Sequence, residues 1–323
     1  MSKVFVTGAT GFVGYYIATH LQSTGHSVKA LVRNESRLNH LPELKKCDIL
    51  LGELSDHDLL KSACQDMDVV VHAAADVSFD TSFKKQIHKT NVDYTSQLLN
   101  ICLDFSIPYF IYISSIAALG GNPDQTSFDE NTEWYTSQGK SVYAESKHLA
   151  EMEVWRANAE GLNTFILSPS VVLGAWYDPS HHSEQLKNYV KNGNYFYPTG
   201  STGWVDVRDI ARAVVIGIDK KISDERIILN GCNLSYKEVF ELIGGYTHVK
   251  APDQALHKGF SMFASYVIST WGKIFRKKIK MQPDIARSLF SKDEYSNQKS
   301  KDLLHLEYTP IQDTVQFSMG PFA

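Results

Sequence analysis

At 323 residues, 43% of them hydrophobic, the chain is long enough for one large α/β domain with a smaller lobe. Its 32 basic and 36 acidic residues leave a formal charge of −4, which gives no reason to expect a nucleic-acid partner. The four cysteines (Cys47, Cys64, Cys102, Cys232) are scattered without a CxxC, no apolar run approaches the ~20 residues of a membrane span, and a strand beginning at residue 3 leaves no room for a signal peptide, so a reduced, cytoplasmic protein is expected.

The first element is a short apolar run, Val4 to Val6, that stops at Gly8. Glycines follow at 8, 11 and 14, and a helical pattern runs from Phe12 to Leu21. Strand, glycine turn and helix in that order suit a phosphate-binding turn: Gly8 for the tight turn, Gly11 for close approach of a diphosphate, Gly14 for helix packing. The spacing is TGxxGxxG rather than GxGxxG, and an ordinary glycine turn is the alternative. Ser27 to Val32 reads as the second strand and Lys46 to Leu51 as the third. A short helix follows from Leu54 to Cys64, with Ser55 as its cap. Asp68 to Ala75 is apolar throughout, as a parallel strand buried on both faces requires. A long helical pattern runs from Lys84 to Phe105, a fifth strand from Tyr109 to Ile113, a helix from Ser141 to Ala159 and a sixth strand from Asn163 to Leu167. This alternation predicts a doubly wound parallel sheet with ligands at the carboxyl ends of its strands.

Beyond Pro169 the pattern breaks up. Residues 175–204 carry Trp176, Tyr177, His181, His182, Tyr195, Tyr197 and Trp204 among glycines and prolines, and read as loops of a second lobe. The aromatics fit either a pocket for a ring-bearing substrate or the core of a small lobe. His181 and His182 have no partner at metal spacing, so no metal site is expected. Asp206 to Ile218 is predicted helical, Arg226 to Leu229 a short strand, and Ser235 to Ile243 a helix with a Ser235–Glu238 capping box.

Tyr143-Ala-Glu-Ser-Lys147 places a phenol and an amine four residues apart on one helix, and so on one face. An ammonium near the phenol would lower its pKa from about 10 and make it a usable proton donor or acceptor. A Tyr/Lys pair at this spacing is common by chance, and on spacing alone the structural reading comes first. Its position, after the strand that ends in Ser114-Ser115 and before the sixth strand, favours chemistry.

At this point the chain resembles the extended short-chain dehydrogenase/reductase family, of the NAD(P)-dependent epimerase/dehydratase type, and within it the dihydroflavonol reductase-like proteins. The resemblance rests on Thr7-Gly-Ala-Thr-Gly-Phe-Val-Gly14, His72-Ala-Ala-Ala75, Asn91-Val-Asp-Tyr-Thr95, Ser114-Ser115 with Gly120, Tyr143 with Lys147, Ser168-Pro-Ser-Val-Val-Leu-Gly174 and Trp204 to Ala213, in order over about residues 3–240. It implies a Rossmann domain at 1–170, rejoined by 205–232, and a substrate-binding lobe from 171–204 and 233–323. It implies that Tyr143 is the general acid, that Lys147 binds the nicotinamide ribose and that Ser115, five residues before Gly120, orients the substrate carbonyl. Ser114 would be a backbone or cofactor contact, and Asn91 would support a water or a kink near the lysine, or merely pack. The cofactor would lie on Gly8, Thr10, Gly11, Phe12, Val13 and Gly14, with Glu53 and Leu54 beside the adenine, Ala73, Ala74 and Ala75 along the channel, and Pro169 and Val172 flanking the nicotinamide. His72, inside a strand, is read as a hydrogen-bonded core histidine.

At the end of the second strand the first charged residue is Arg33, with Arg37 a turn later, where an acidic residue would bind the ribose of NAD. Guanidinium groups suit a 2′-phosphate, so NADP(H) is expected over NAD(H), with Glu35 as the competing feature and two solvated arginines as the alternative. Ile116-Ala117 stands where family dehydratases carry Asp-Glu. The expectation is therefore an NADPH-dependent reductase of a ketone, with a nucleotide-sugar epimerase holding NAD as the alternative. Residues 259–280 read as an apolar helix with a basic end, preferred as a lid over a membrane-surface helix because the resembling families build their substrate lobe there. Family members pair into homodimers through the two long helices, Lys84 to Phe105 and Ser141 to Ala159.

Overall fold

The computed structural model describes residues 1–78, 81–122, 124–137, 140–256 and 289–322. Its centre is a seven-stranded sheet: β1 (Lys3–Thr7), β2 (Ser27–Val32), β3 (Asp48–Leu51), β4 (Val69–His72), β5 (Tyr109–Ile113), β6 (Thr164–Pro169) and β7 (Glu225–Leu229). The strands lie in the order β7-β6-β5-β4-β1-β2-β3 and every neighbouring pair is parallel. This is the doubly wound α/β arrangement, whose order reverses between β1 and β4.

Alternate side chains leave the sheet on opposite faces, and both faces are covered. Val4, Val6, Val71 and Ile111 pack with Ile17 and Leu21 of α1 (Phe12–Ser23) on one side. Phe5, Val70, Phe110 and Tyr112 pack on the other, among Leu98, Leu99, Ala150 and Val154. That second layer holds α2 (His57–Cys64), α3 (Lys84–His88), α4 (Tyr94–Asp104) and the long α5 (Val142–Ala159).

Three elements differ from the sequence reading. α2 begins at His57 and is capped by Asp56, whose Oδ1 accepts the Leu59 N–H at 3.0 Å, while Ser55 turns to Glu53. The long pattern from Lys84 to Phe105 is two helices joined by a π-helical turn, Lys89–Asp93. Residues 175–204 are not all loop: they hold α6 (His182–Lys191) and strands Phe196–Pro198 and Ser201–Asp206. α6 had a readable stripe, Leu186, Tyr189 and Val190, hidden among the flanking aromatics, glycines and prolines.

Val171–Leu173, Ser201–Asp206 and Cys232–Ser235 form a second, three-stranded sheet. α7 (Val207–Lys220), capped by Asp206, packs on α1, and α8 (Tyr236–Thr247) carries the Ser235–Glu238 capping box in full. Trp204 is wholly buried against Val239 and Ile243, so this aromatic is core, and Trp176 is also buried, whereas Tyr195 is 72% exposed. The proposed lid, residues 259–280, lies outside the described residues.

Candidate active site

The glycine turn follows β1 at the reversal point of the sheet. Gly8 has φ +73°, and a Cβ there would lie 2.5 Å from the Ala74 amide nitrogen, so the turn backs directly onto Ala73-Ala74-Ala75 after β4. A Cβ on Gly14 would lie 2.2 Å from the Gly8 carbonyl, which closes helix onto turn. Gly11 is the N-cap of α1 and supplies no side-chain bond, so the first N–H groups of a twelve-residue helix stay open to a ligand. Thr10 and Phe12 are buried and Val13 is half-buried. The cradle suits the diphosphate of a dinucleotide: bare backbone, helix dipole and no carboxylate in the first turn.

Arg33 is exposed just past β2, and Arg37 turns back so that its Nη1 faces the Thr10 carbonyl at 3.5 Å. The Arg37 guanidinium therefore stands at the edge of the glycine turn, and Glu35, between the two arginines in sequence, is exposed. Glu53 is exposed and accepts a bond from Ser55, and the Leu54 carbonyl meets Gln97. Pro169 ends β6 opposite Leu229, and Val172, in the Val171–Leu173 strand of the smaller sheet, accepts a bond from His182 Nε2 through its carbonyl.

Ser115 follows the carboxyl end of β5 and caps a 3-10 turn, its Oγ accepting the Ala117 N–H at 3.1 Å. Tyr143 and Lys147 project from the first turns of α5, which Ser141 caps. The Ser115 hydroxyl meets the Tyr143 phenol. Lys147 is 2% exposed, and its Nζ donates to the Ile113 carbonyl at 2.7 Å and to the Tyr112 hydroxyl at 3.0 Å. Ser114 is buried, its N–H on the Leu167 carbonyl at 2.7 Å.

The electrostatics correct one expectation. Burial pushes the Tyr143 phenol up to about 12, with the Ser115 bond opposing, instead of the lysine pulling it down. Burial brings Lys147 down to about 7, with the Glu151 carboxylate opposing. The amine spends two N–H groups on β5, and desolvation outweighs what remains.

Sequence reasoning missed Glu151 and Tyr112. Glu151 is 1% exposed, sits one turn beyond Lys147 and pairs with Arg226 Nη1 at 3.2 Å. The i, i+4 spacing of Lys147 and Glu151 on a helix with buried alanines was the available signal. Asn91 lies in the π-helical turn, a geometry that often marks functional sites. Its side chain holds both the N–H and the carbonyl of Asp76, at 2.7 and 2.9 Å, and donates to Ser146 Oγ at 2.9 Å, tying the loop after β4 to α5. His72 is a core residue, bonded to Thr7 and Thr95.

Residues 4–230 match the model of the NAD dependent epimerase/dehydratase family. The chain belongs to this family. Over 255 residues it is 30% identical to a Synechocystis protein named as a candidate dihydroflavonol 4-reductase, covering 77% of this chain and 73% of that one. Over 325 residues it is 25% identical to cinnamoyl-CoA reductase 1 of Petunia hybrida, covering 96% and 88%. The crystal structure of gox2253 superposes with a TM-score of 0.83 at 26% identity, over 99% of this chain and 97% of that one. Family membership and reductase relatives make the chain an NAD(P)-dependent oxidoreductase. The glycine cradle is the feature of this structure that suits such a dinucleotide. Among the described residues no helix is long and apolar enough to cross a membrane.

Proposed function

We propose that the protein reduces a ketone of a small, ring-bearing substrate at the expense of NADPH. The observation that carries this reading is the meeting of the Tyr143 phenol with the Ser115 hydroxyl beside an anchored Lys147. When bound, the nicotinamide supplies the hydride. The chain's own residues handle the oxygen. Ser115 donates to the carbonyl and fixes its direction, and Tyr143, a phenol held protonated by its raised pKa, gives its proton to that oxygen as negative charge develops there. Lys147 binds the ribose and offers positive charge to the phenolate left behind. Asn91 keeps the loop after β4, which backs the glycine turn, in register with α5. Ser114, Pro169, Val172, Glu53, Leu54 and Ala73 to Ala75 complete the cofactor channel. Arg33 and Arg37 support NADPH over NADH, because guanidiniums just past β2, that of Arg37 facing the Thr10 carbonyl, suit a 2′-phosphate. The names of two relatives, which refer to a dihydroflavonol and to cinnamoyl-CoA, support a ring-bearing substrate. The outward face of α4 and α5 is proposed as the surface of a homodimer.

The test is a panel of ketones, flavonoid ketones, steroids and nucleotide sugars scored by NADPH oxidation, with binding titrations alongside. Tyr143→Phe is expected to lower kcat by at least about 10²-fold with NADPH affinity nearly unchanged. Retained turnover would rule out the mechanism. Arg33→Ala is expected to weaken NADPH binding about tenfold and leave NADH unaffected; equal affinities in wild type and variant remove the argument for the phosphate. NAD carried through purification, with no net NADPH consumption, would make the protein an epimerase instead.

A further inference from the structure

A lysine ammonium carries three N–H groups and no acceptor, and a buried one needs a partner for each. Ile113 O and Tyr112 Oη take two of those on Lys147, which leaves one for the cleft. Because the ammonium can only donate, the Tyr112 oxygen accepts from it, and the Tyr112 hydrogen must go elsewhere. Tyr112 is 1% exposed, so its second partner has to be protein, and the Thr95 hydroxyl stands beside it. The Thr95 hydrogen is committed to the Asn91 carbonyl at 2.6 Å, so its lone pairs are left to accept, one of them from His72 Nε2 at 2.9 Å. His72 is held neutral by burial, with its pKa brought down to about 3. With Nε2 protonated, the tautomer these bonds assign, its Nδ1 accepts from Thr7 Oγ1 at 2.6 Å. Each hydroxyl and ring N–H along this chain is used once, and the chain ends on a carbonyl that cannot donate.

The sheet register sets this up. Thr7 is opposite His72 and His72 is opposite Tyr112, so β1, β4 and β5 present the three side chains in one row beneath the glycine turn. The geometry points to Tyr112 as a positioning residue for Lys147: its hydroxyl, oriented by Thr95 and His72, fixes the direction of the amine and favours its protonated form. This rests on the role proposed for Lys147 above. The titratable groups around the amine are Tyr143 and Glu151 on α5, Tyr112 on β5 and His72 on β4, with Arg226 on β7 paired to Glu151. Glu151 is the other group that favours the ammonium. The Tyr112 ring also lies under Nζ, 4.4 Å from centroid to nitrogen. Phenylalanine keeps that cation–π contact and the packing, so Tyr112→Phe removes the hydroxyl alone.

The experiment is an NMR titration of cofactor-free protein made with 13C-labelled lysine, the Lys147 signal assigned through Lys147→Met. Wild type is expected to titrate near 7, and Tyr112→Phe at least about half a pH unit lower, a threefold loss of proton affinity. Thr95→Val is expected to move the midpoint the same way by a smaller amount, and it carries the test if Tyr112→Phe does not fold. Coincident midpoints in wild type and variants would overturn the inference, as would a loss of stability with no shift. In turnover assays the alkaline fall of kcat/KM should move acidward with the midpoint. A protein that shows the NMR shift yet reduces no carbonyl would sink the proposed function and leave the role of Tyr112 standing.

Discussion

Lys147 is expensive to fold around. Its amine enters a region 2% accessible to water, and burial lowers its pKa from the ordinary 10.5 to about 7. Between those values the unfolded chain holds a proton that the folded one does not. Stability associated with this residue is therefore full above 10.5 and declines as the pH falls toward 7, below which the folded state carries a charged amine at its greatest cost. Lys147→Met removes that burden along with the amine. The variant is expected to be inactive, and its stability relative to wild type should be better at pH 6 than at pH 9.5 by about 1–3 kcal/mol. Urea unfolding at the two values measures this, and an identical offset at both would mean that the amine is not desolvated as the structure has it. The retention of so unfavourable a group beside Ser115 and Tyr143 is itself a reason to place chemistry there.

The β1–turn–α1 unit, proposed above to hold the dinucleotide, has tolerances set by backbone. Gly8 has a positive φ, and the atom its Cβ would strike is the Ala74 amide, which cannot rotate away as a side chain could. Gly8→Ala is expected to cost about 2–4 kcal/mol, combining left-handed strain with overpacking, and to abolish cofactor binding. Chemical unfolding with a dinucleotide titration checks both, and a variant of wild-type stability would show that the turn can open. This unit was legible in the sequence because strand, glycines and helix are local, each position set by its neighbours. So was the capping box at Ser235, where one side chain answers one amide three residues on. The π-helical turn was not legible: the pattern from Lys84 to Phe105 keeps its apolar face while one extra residue is let into a turn. Nor was Tyr112, whose ring looks like any other in an apolar strand until α5 brings Lys147 over it from 35 residues away. Glu151 and Arg226 meet across 75 residues for the same reason. Long-range polar pairs leave no period to read.

At the scale of the molecule, α4 and α5 each present an inner and an outer face. Their inner faces, with Leu98, Leu99, Ala150 and Val154, close the sheet. Their outer faces carry Met152, 52% exposed, near His88, Gln97 and Glu153 in a shallow groove between the helices. A second copy laid on this face would build a four-helix bundle from the helix that bears Tyr143 and Lys147 and the one that follows Asn91. Association would then stiffen the catalytic helix, and stability would rise with concentration by mass action. Wild type is therefore expected to sediment at twice 36.3 kDa at micromolar concentration. Met152→Glu would set like charges against each other across the two-fold axis and bury them, weakening the dimer at least about tenfold. Its melting temperature should become independent of concentration over the range in which that of wild type climbs. A wild type that sediments as a monomer throughout would remove the dimer, and α5 would then have to hold Tyr143 in place with the contacts of one chain alone: the Ser141 cap, the Asn91–Ser146 bond and the Lys84–Glu145 ion pair at 2.9 Å.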